Sequence, residues 1–359
     1  MTDFPANLDA ITPAFLSEIL ESDVTEVSSK LVAAQGAVST AATLRLTYAE
    51  GATGPEAVFA KWPSPIEAIR QMAAQNGMYR REIRFYENLA QTSEIATPTC
   101  HFAGWDRQSD EFLLILEDMS TSRVGNFYAS SLDDVTRVVE ALPAFHARWW
   151  EHDDLAKLRW LFPLDHPAAS AGLQAAVAAS LPRATQRFPE HFEGTLGAAS
   201  KVVAEQYPEL AARFGSRPTT LVHSDLHLQQ VFFPGDATGR FAVFDWQTIG
   251  RGFGGQDLAR IVAMSLTPEM RRAHERSLVE RYHRGLLDAG VADYTAEECW
   301  DDYRLGMTWN IVTNVIAGAS VDPAAMGADA AEFGTTLGET FFGRIDTALE
   351  ELDVLSLLP

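Results

Sequence analysis

Two apolar runs, TTLVH and FAVFDW, bracket a polar loop between residues 219 and 246. The loop carries His223, Asp225, His227 and Gln230, and the second run ends on Asp245. A carboxylate directly after an apolar strand is exposed enough to orient a hydroxyl and accept its proton, which is the position of Asp225. Gln230 offers an amide oxygen and Asp245 a carboxylate, both hard donors of the kind that hold the divalent ion accompanying a nucleotide. A hairpin through this segment would bring Asp225 and Asp245 together, and two neighbouring carboxylates repel unless a cation lies beside them. The same residues admit a second chemistry. His223, Asp225 and His227 alternate, and alternate residues of an extended segment point one way, so they are also candidates for the three ligands of a metal-dependent hydrolase. No second His/Asp cluster with ligand spacing accompanies them, and His146 stands alone among its sequence neighbours.

The pattern His-x-Asp-x-His at 223–227, followed by Asp-Trp at 245–246, resembles the catalytic and metal loops of aminoglycoside phosphotransferases and choline kinases, within the wider protein-kinase-like fold. Asp245-Trp246-Gln247 with Gly250-Arg251-Gly252 behind it is similar to the ecdysteroid-kinase-like branch in particular. The resemblance implies an α+β, bilobal architecture: a small antiparallel-sheet N-lobe with one key helix, and a large helical C-lobe. It implies ATP and Mg²⁺ as cofactors and a small molecule bearing a hydroxyl as phosphate acceptor. Residue by residue, it makes Asp225 the catalytic base, Asp245 the principal Mg²⁺ ligand and His223 a support of the loop. Asp257, in Gln256-Asp257-Leu258-Ala259-Arg260, would anchor the catalytic loop from the start of the next helix. One departure matters: the family carries Asn where this chain has Gln230, one methylene longer. Gln230 is expected to ligate Mg²⁺, and the alternative is a nucleotide-binding protein of this fold without turnover.

A kinase also needs a cation on the nucleotide phosphates and an acid to hold it. Lys61 lies in the strand-like run AVFAKW, flanked by apolar residues, and a half-buried ammonium wants a partner. Glu82 on the following helix is the expected partner, with Glu87 second. A phosphate-covering loop is expected at 35–40, through Gly36 and the Ser39 and Thr40 hydroxyls, although a single glycine fits no G-x-G-x-x-G pattern. Glu117 and Met119 stand where a hinge would read adenine through backbone groups.

The elements that must position these residues follow from periodicity and punctuation. Thr12-Pro13 opens a short helix to Leu20. Strands are expected at 24–34, 41–49, 57–62, 100–105 and 111–117, with one helix over 67–90. Ser131-Leu132-Asp133-Asp134 reads as a capping box opening a helix through Trp150. Helices follow at 167–181, 186–213, 268–289, 295–318 and 328–352. The expected division is 1–118 for the nucleotide-binding lobe and 119–359 for the helical lobe with the catalytic loop, metal loop and substrate pocket. Trp149, Trp150, Tyr303, Trp309 and Asn310 are candidate pocket walls. The branch resemblance favours a lipophilic or sterol-like alcohol.

Composition narrows the classes. With 359 residues and 47% hydrophobic content, the chain can bury a core without staples. Its net charge of −21 makes nucleic acid and anionic membrane poor partners. Two distant cysteines indicate no disulfide framework. The N-terminus lacks a secretory pattern, and no apolar run reaches the ~18 residues a spanning helix needs. A cytoplasmic location is expected.

Overall fold

The computed structural model describes residues 4–32, 38–164, 167–320 and 329–359. They pack as two compact units: Met1–Arg123 with Phe232–Thr248, and Val124–Val231 with Ile249–Pro359. Asp245, expected in the second lobe, therefore packs with the first.

The first unit is built on one antiparallel sheet. Its strands are β1 (Val24–Leu31), β2 (Ser39–Tyr48), β3 (Ala57–Pro63), β4 (Cys100–Trp105) and β5 (Phe112–Glu117), in the order β1-β2-β3-β5-β4. Alternation decides which side chains go where. Ala42 and Leu44, Val58, Ala60 and Trp62, and Leu113 and Ile115 share one face and form a buried cluster with Ile11 and Leu16. Leu16 belongs to helix α1 (Pro13–Leu20), whose N-cap Thr12 accepts the Phe15 N–H at 3.2 Å, with Pro13 at the first position. By the same parity Lys61 leaves β3 on the opposite face, with Phe112 and Leu114 of β5.

That opposite face is covered by helix. One continuous helix over 67–90 was expected; there are two, α2 (Glu67–Gln75) and α3 (Met78–Asn88). Gly77 separates them at φ +65°, a left-handed conformation that ends α2 and that glycine adopts without a Cβ penalty. The break re-aims α3, whose Tyr79 ring packs 4.7 Å from that of Phe112. Ser39 and Thr40, expected in a loop, instead open β2, paired with Pro63 and Trp62 of β3.

The second unit is helical: α4 (Leu132–Arg148), α5 (Pro167–Arg187), α6 (Thr195–Gly215), α7 (Gly255–Ser265), α8 (Pro268–Asp288), α9 (Ala296–Gly318) and α10 (Arg344–Glu351). Ser131 caps α4 by accepting the Asp134 N–H. The segment expected as one helix over 328–352 contains a π-helical turn, Glu339–Gly343, before α10. Short strands β6 (Thr220–Val222) and β7 (Gly250–Gly252) pair antiparallel, one just before and one well after the 223–230 loop. Helices α7 and α9 cross where backbones nearly touch. A Cβ on Gly306 would lie 2.1 Å from the Gly255 carbonyl oxygen, so side chains further along both helices come within reach of each other.

Candidate active site

In the first unit, Lys61 is held between two carboxylates. Its Nζ donates to both oxygens of Glu82 at 2.8 Å and to Asp245 Oδ1 at 2.9 Å. Glu82 comes from α3 and its side chain is 3% exposed; Asp245, at 24%, is the more open partner. Burial pulls the Lys61 ammonium toward deprotonation, but the charges of Asp245 and Glu82 beside it win and raise it above the usual lysine range. The expected Lys61–Glu82 pair is thus present, and Asp245 joins it as a third member that sequence order did not indicate.

Asp245 occupies a tight turn at φ +66°, unusual for a residue with a side chain. Its neighbours pin the turn to α3. The Trp246 ring stacks on Phe85 at 3.9 Å and 13°, and Arg81 Nε donates to the Gln247 carbonyl at 3.0 Å. Gln247 Nε2 reaches Asp245 Oδ2 at 3.3 Å. Glu82 and Asp245 are therefore carried by one welded assembly of helix and turn.

At the end of β5, the Glu117 carboxylate accepts from Thr99 N–H and Oγ1, at 3.0 and 2.9 Å, and from the Arg240 guanidinium, at 3.1 Å from Nε. Burial alone would raise its pKa, yet these donors hold the carboxyl at about 2. The Glu117 N–H is given to the Thr99 carbonyl, whereas the Met119 carbonyl accepts the Ser122 N–H. Gly36 lies outside the described residues.

In the second unit, the 223–228 loop is suspended from α7. Asp257 accepts the N–H of His223 at 2.7 Å and of Ser224 at 2.8 Å. Ser265, at the other end of α7, accepts the Leu228 N–H at 3.2 Å. His146 of α4 backs Asp257, with Nε2 3.3 Å from its Oδ2 and Nδ1 2.6 Å from the Tyr282 hydroxyl. Trp309 Nε1 donates to the Ser224 carbonyl at 2.6 Å. The His223 contact with Asp257 is made by its backbone N–H.

Asp225 is gripped on both oxygens. Arg260 Nε and Nη2 donate to Oδ1 at 3.1 and 2.8 Å, and Gln230 Nε2 donates to Oδ2 at 3.1 Å. Burial opposes the charged form, but Arg260 first, then His227, Gln230 and His223, keep the carboxyl below its usual range. Gln230 does not present its oxygen as a sequence reading expects. Oε1 faces the His227 N–H at 3.4 Å and the NH₂ group faces Asp225, because a carboxylate selects the donor end of an amide. The extra methylene that separates Gln from Asn lets the side chain fold back onto its own loop.

These positions bear on the metal expectations. Mg²⁺ is commonly held by one or two carboxylates, with phosphates and water completing the octahedron. Asp245, a partly open carboxylate, fits that donor set; Gln230, in the orientation described, does not. Among the described residues no three His, Cys, Asp or Glu side chains group as a metal cage, so His223, Asp225 and His227 do not form the three-ligand site of the hydrolase alternative. Of the expected pocket walls, Tyr303 is wholly buried, donating to Glu275 Oε2 at 2.9 Å, and Trp150 packs on Tyr294 at 4.9 Å. Trp309 lies against the 223–228 loop and Asn310 against Arg260. Arg260, Arg81 and Arg240 were not assigned from sequence. The available signal for Arg260 was an arginine inside the apolar run DLARIVAM, where a guanidinium must find partners.

No helix among the described residues is long and apolar enough to cross a membrane. No curated protein matches the chain by sequence. Among solved structures, it is similar to a protein described as an aminoglycoside phosphotransferase from Ralstonia eutropha, at 15% identity, covering 95% of this chain and 97% of that one with a TM-score of 0.54. It is also similar to choline kinase from Cryptosporidium parvum, at 11% identity, with coverage of 93% and 92% and a TM-score of 0.50. These likenesses show the fold, which is α+β and protein-kinase-like. The sequence profile of the ecdysteroid kinase-like family matches residues 35–291, well over half of the chain, and the protein belongs to that family.

Proposed function

We propose that this protein is an ATP- and Mg²⁺-dependent small-molecule kinase that transfers the γ-phosphate to a hydroxyl of its substrate. The observation that carries the reading is Lys61 held between Glu82 and Asp245, a fixed ammonium with an acid behind it and a partly open carboxylate beside it. Lys61 would hold the nucleotide phosphates, and Glu82 would keep its ammonium in place. The Met119 N–H, which has no hydrogen-bond partner among the described residues, supports adenine recognition at the hinge, whereas the Glu117 N–H is already given to Thr99. Ser39 and Thr40, which open β2, are the hydroxyl-bearing end of the 35–40 segment expected to cover the phosphates.

In the transfer, the acceptor oxygen forms its bond to the γ-phosphorus as the bond to the β,γ-bridging oxygen breaks, releasing ADP. Asp225 orients the acceptor hydroxyl and receives its proton. Mg²⁺, when bound, would neutralise phosphate charge, with Asp245 as its protein carboxylate. Phosphoryl transfer asks the protein mainly for positioning and electrostatics, so a carboxylate held below its usual pKa range still suits the role. The acceptor is proposed only as a small hydroxylated molecule, with the lipophilic alcohols of the family resemblance as the first class to test.

The experiment is ADP release from Mg·ATP across a panel of hydroxylated metabolites that includes sterols and amino alcohols. Acceptor-dependent ADP release by the wild type, lost in K61M and lowered roughly 10²–10⁴-fold in D225N, is the expected result. Saturable Mg·ATP binding without ADP release under any condition would instead select the non-catalytic alternative, which the inward-turned Gln230 oxygen favours.

A further inference from the structure

A buried guanidinium is costly unless every face of it is used. Arg260 is 3% exposed, and its fork is divided between two tasks. Nε and Nη2 grip Asp225 Oδ1, while Nη1 donates to Asn310 Oδ1 at 3.1 Å and Asn314 Oδ1 at 2.5 Å, both on α9. Asn314 is itself fixed, donating to the Phe341 carbonyl and lying 3.3 Å from the Met264 sulfur. The Gly255–Gly306 crossing of α7 and α9 brings these side chains within reach.

The consequence is an asymmetric carboxylate. Each carboxylate oxygen has about two acceptor positions. On Oδ1 both are taken by Arg260; on Oδ2 one is taken by Gln230 and one is left. Rotation about the Cβ–Cγ bond is blocked from both sides. A lysine could not reproduce this, since its point charge lacks the planar fork that holds a carboxylate and two amides together.

We propose that Arg260 is a positioning residue for Asp225: anchored by Asn310 and Asn314, it locks the carboxylate so that Oδ2 alone faces the acceptor hydroxyl. This rests on the reading of Asp225 as the base.

The test follows ADP formation from Mg·ATP with water as the acceptor, in wild type, R260Q, R260K, N310A and D225N, with the folded fraction of each measured by circular dichroism. The clamp predicts that R260Q lowers kcat about 10- to 100-fold, the scale of an ångström of misplacement, with KM for ATP within about twofold. R260K recovers part of the loss, and N310A shows a smaller fall of the same kind. If R260Q does not fold, R260K and N310A carry the comparison. Wild-type kcat in the arginine and asparagine variants while D225N is slow overturns the clamp and leaves the base reading standing. A wild-type rate in D225N overturns both. Losses that only track the folded fraction assign Arg260 to the fold and also overturn the clamp.

Discussion

Asp257 holds two consecutive backbone N–H groups, one with each oxygen: His223 to Oδ2 at 2.7 Å and Ser224 to Oδ1 at 2.8 Å. Ser224 has φ +69°, a conformation that costs a non-glycine residue of order 1–3 kcal/mol and persists only when its surroundings impose it. The carboxylate imposes it here, from the first turn of α7, where the helix dipole also favours negative charge. D257A would leave two buried donors unpaired, at about 1–3 kcal/mol each. D257N retains one acceptor and is expected to lose roughly half as much. Urea midpoints of the two variants measure the difference. Equal midpoints for D257A and wild type would show that the loop is held by other means.

Lys61 matters to the fold as well as to the proposed phosphate binding. K61M leaves the Glu82 carboxylate buried without its ammonium, and breaking a buried pair from one side costs about 3–5 kcal/mol. The double variant K61M/E82Q removes both charges and is expected to recover most of that stability while remaining unable to use ATP. Melting temperatures and ADP formation measured on the same samples separate the two roles. A double variant no more stable than K61M would mean that the stranded Glu82 charge is not what destabilises K61M.

The legible parts of this chain were those in which one residue type answers one local demand. Thr12-Pro13 and Ser131 marked helix starts because caps and proline have few other uses there. The β3 parity that puts Lys61 opposite Val58 and Ala60 was visible in AVFAKW. Helix α7 was not marked by periodicity because every residue from Gly255 to Ser265 is buried, and a helix enclosed on all sides carries no apolar stripe. The Gly77 break was obscured by helix formers on either side of it. The welding of Asp245 to α3 depends on Phe85 and Trp246, 161 residues apart in sequence (246 − 85) and joined only by the fold. Gln230 shows a further limit: its amide was recognised as chemically relevant, but which end faces the loop depends on Asp225 and the His227 N–H together.

Acid should weaken the first unit through Glu117. Arg240 and Thr99 hold its folded pKa at about 2, below the ordinary glutamate value of 4.5. A depressed carboxylate contributes stability above the unfolded value and loses it as pH falls through the folded value. The window is therefore pH 4.5 down to about 2. The side chain is 31% exposed, so solvent screening limits the contribution to roughly 1 kcal/mol. E117Q is expected to be less stable than wild type at pH 7 and to converge with it as pH approaches 2, read from melting temperatures at half-unit intervals. A gap that stays constant with pH would assign the effect to packing rather than charge.

Asp302 should act with the opposite sign. Its side chain is 2% exposed, and burial lifts its carboxyl to about 6 against the opposing hydrogen bond from Tyr294 and the charge of Arg217. The unfolded chain ionises near 3.8 while the folded state keeps its proton, so between those values the folded state binds more protons. Stability then falls as pH rises from about 4 to about 6 and is flat above. Two units of displacement correspond to about 3 kcal/mol. D302N still offers Tyr294 an acceptor but carries no titrating group, so this slope should vanish. Relative to wild type, the urea midpoint of D302N is expected to climb steadily from pH 4 to pH 6 and then hold. Parallel curves across that range would mean that Arg217, 3.3 Å from Oδ1, keeps Asp302 ionised in the folded protein and that burial has been outweighed.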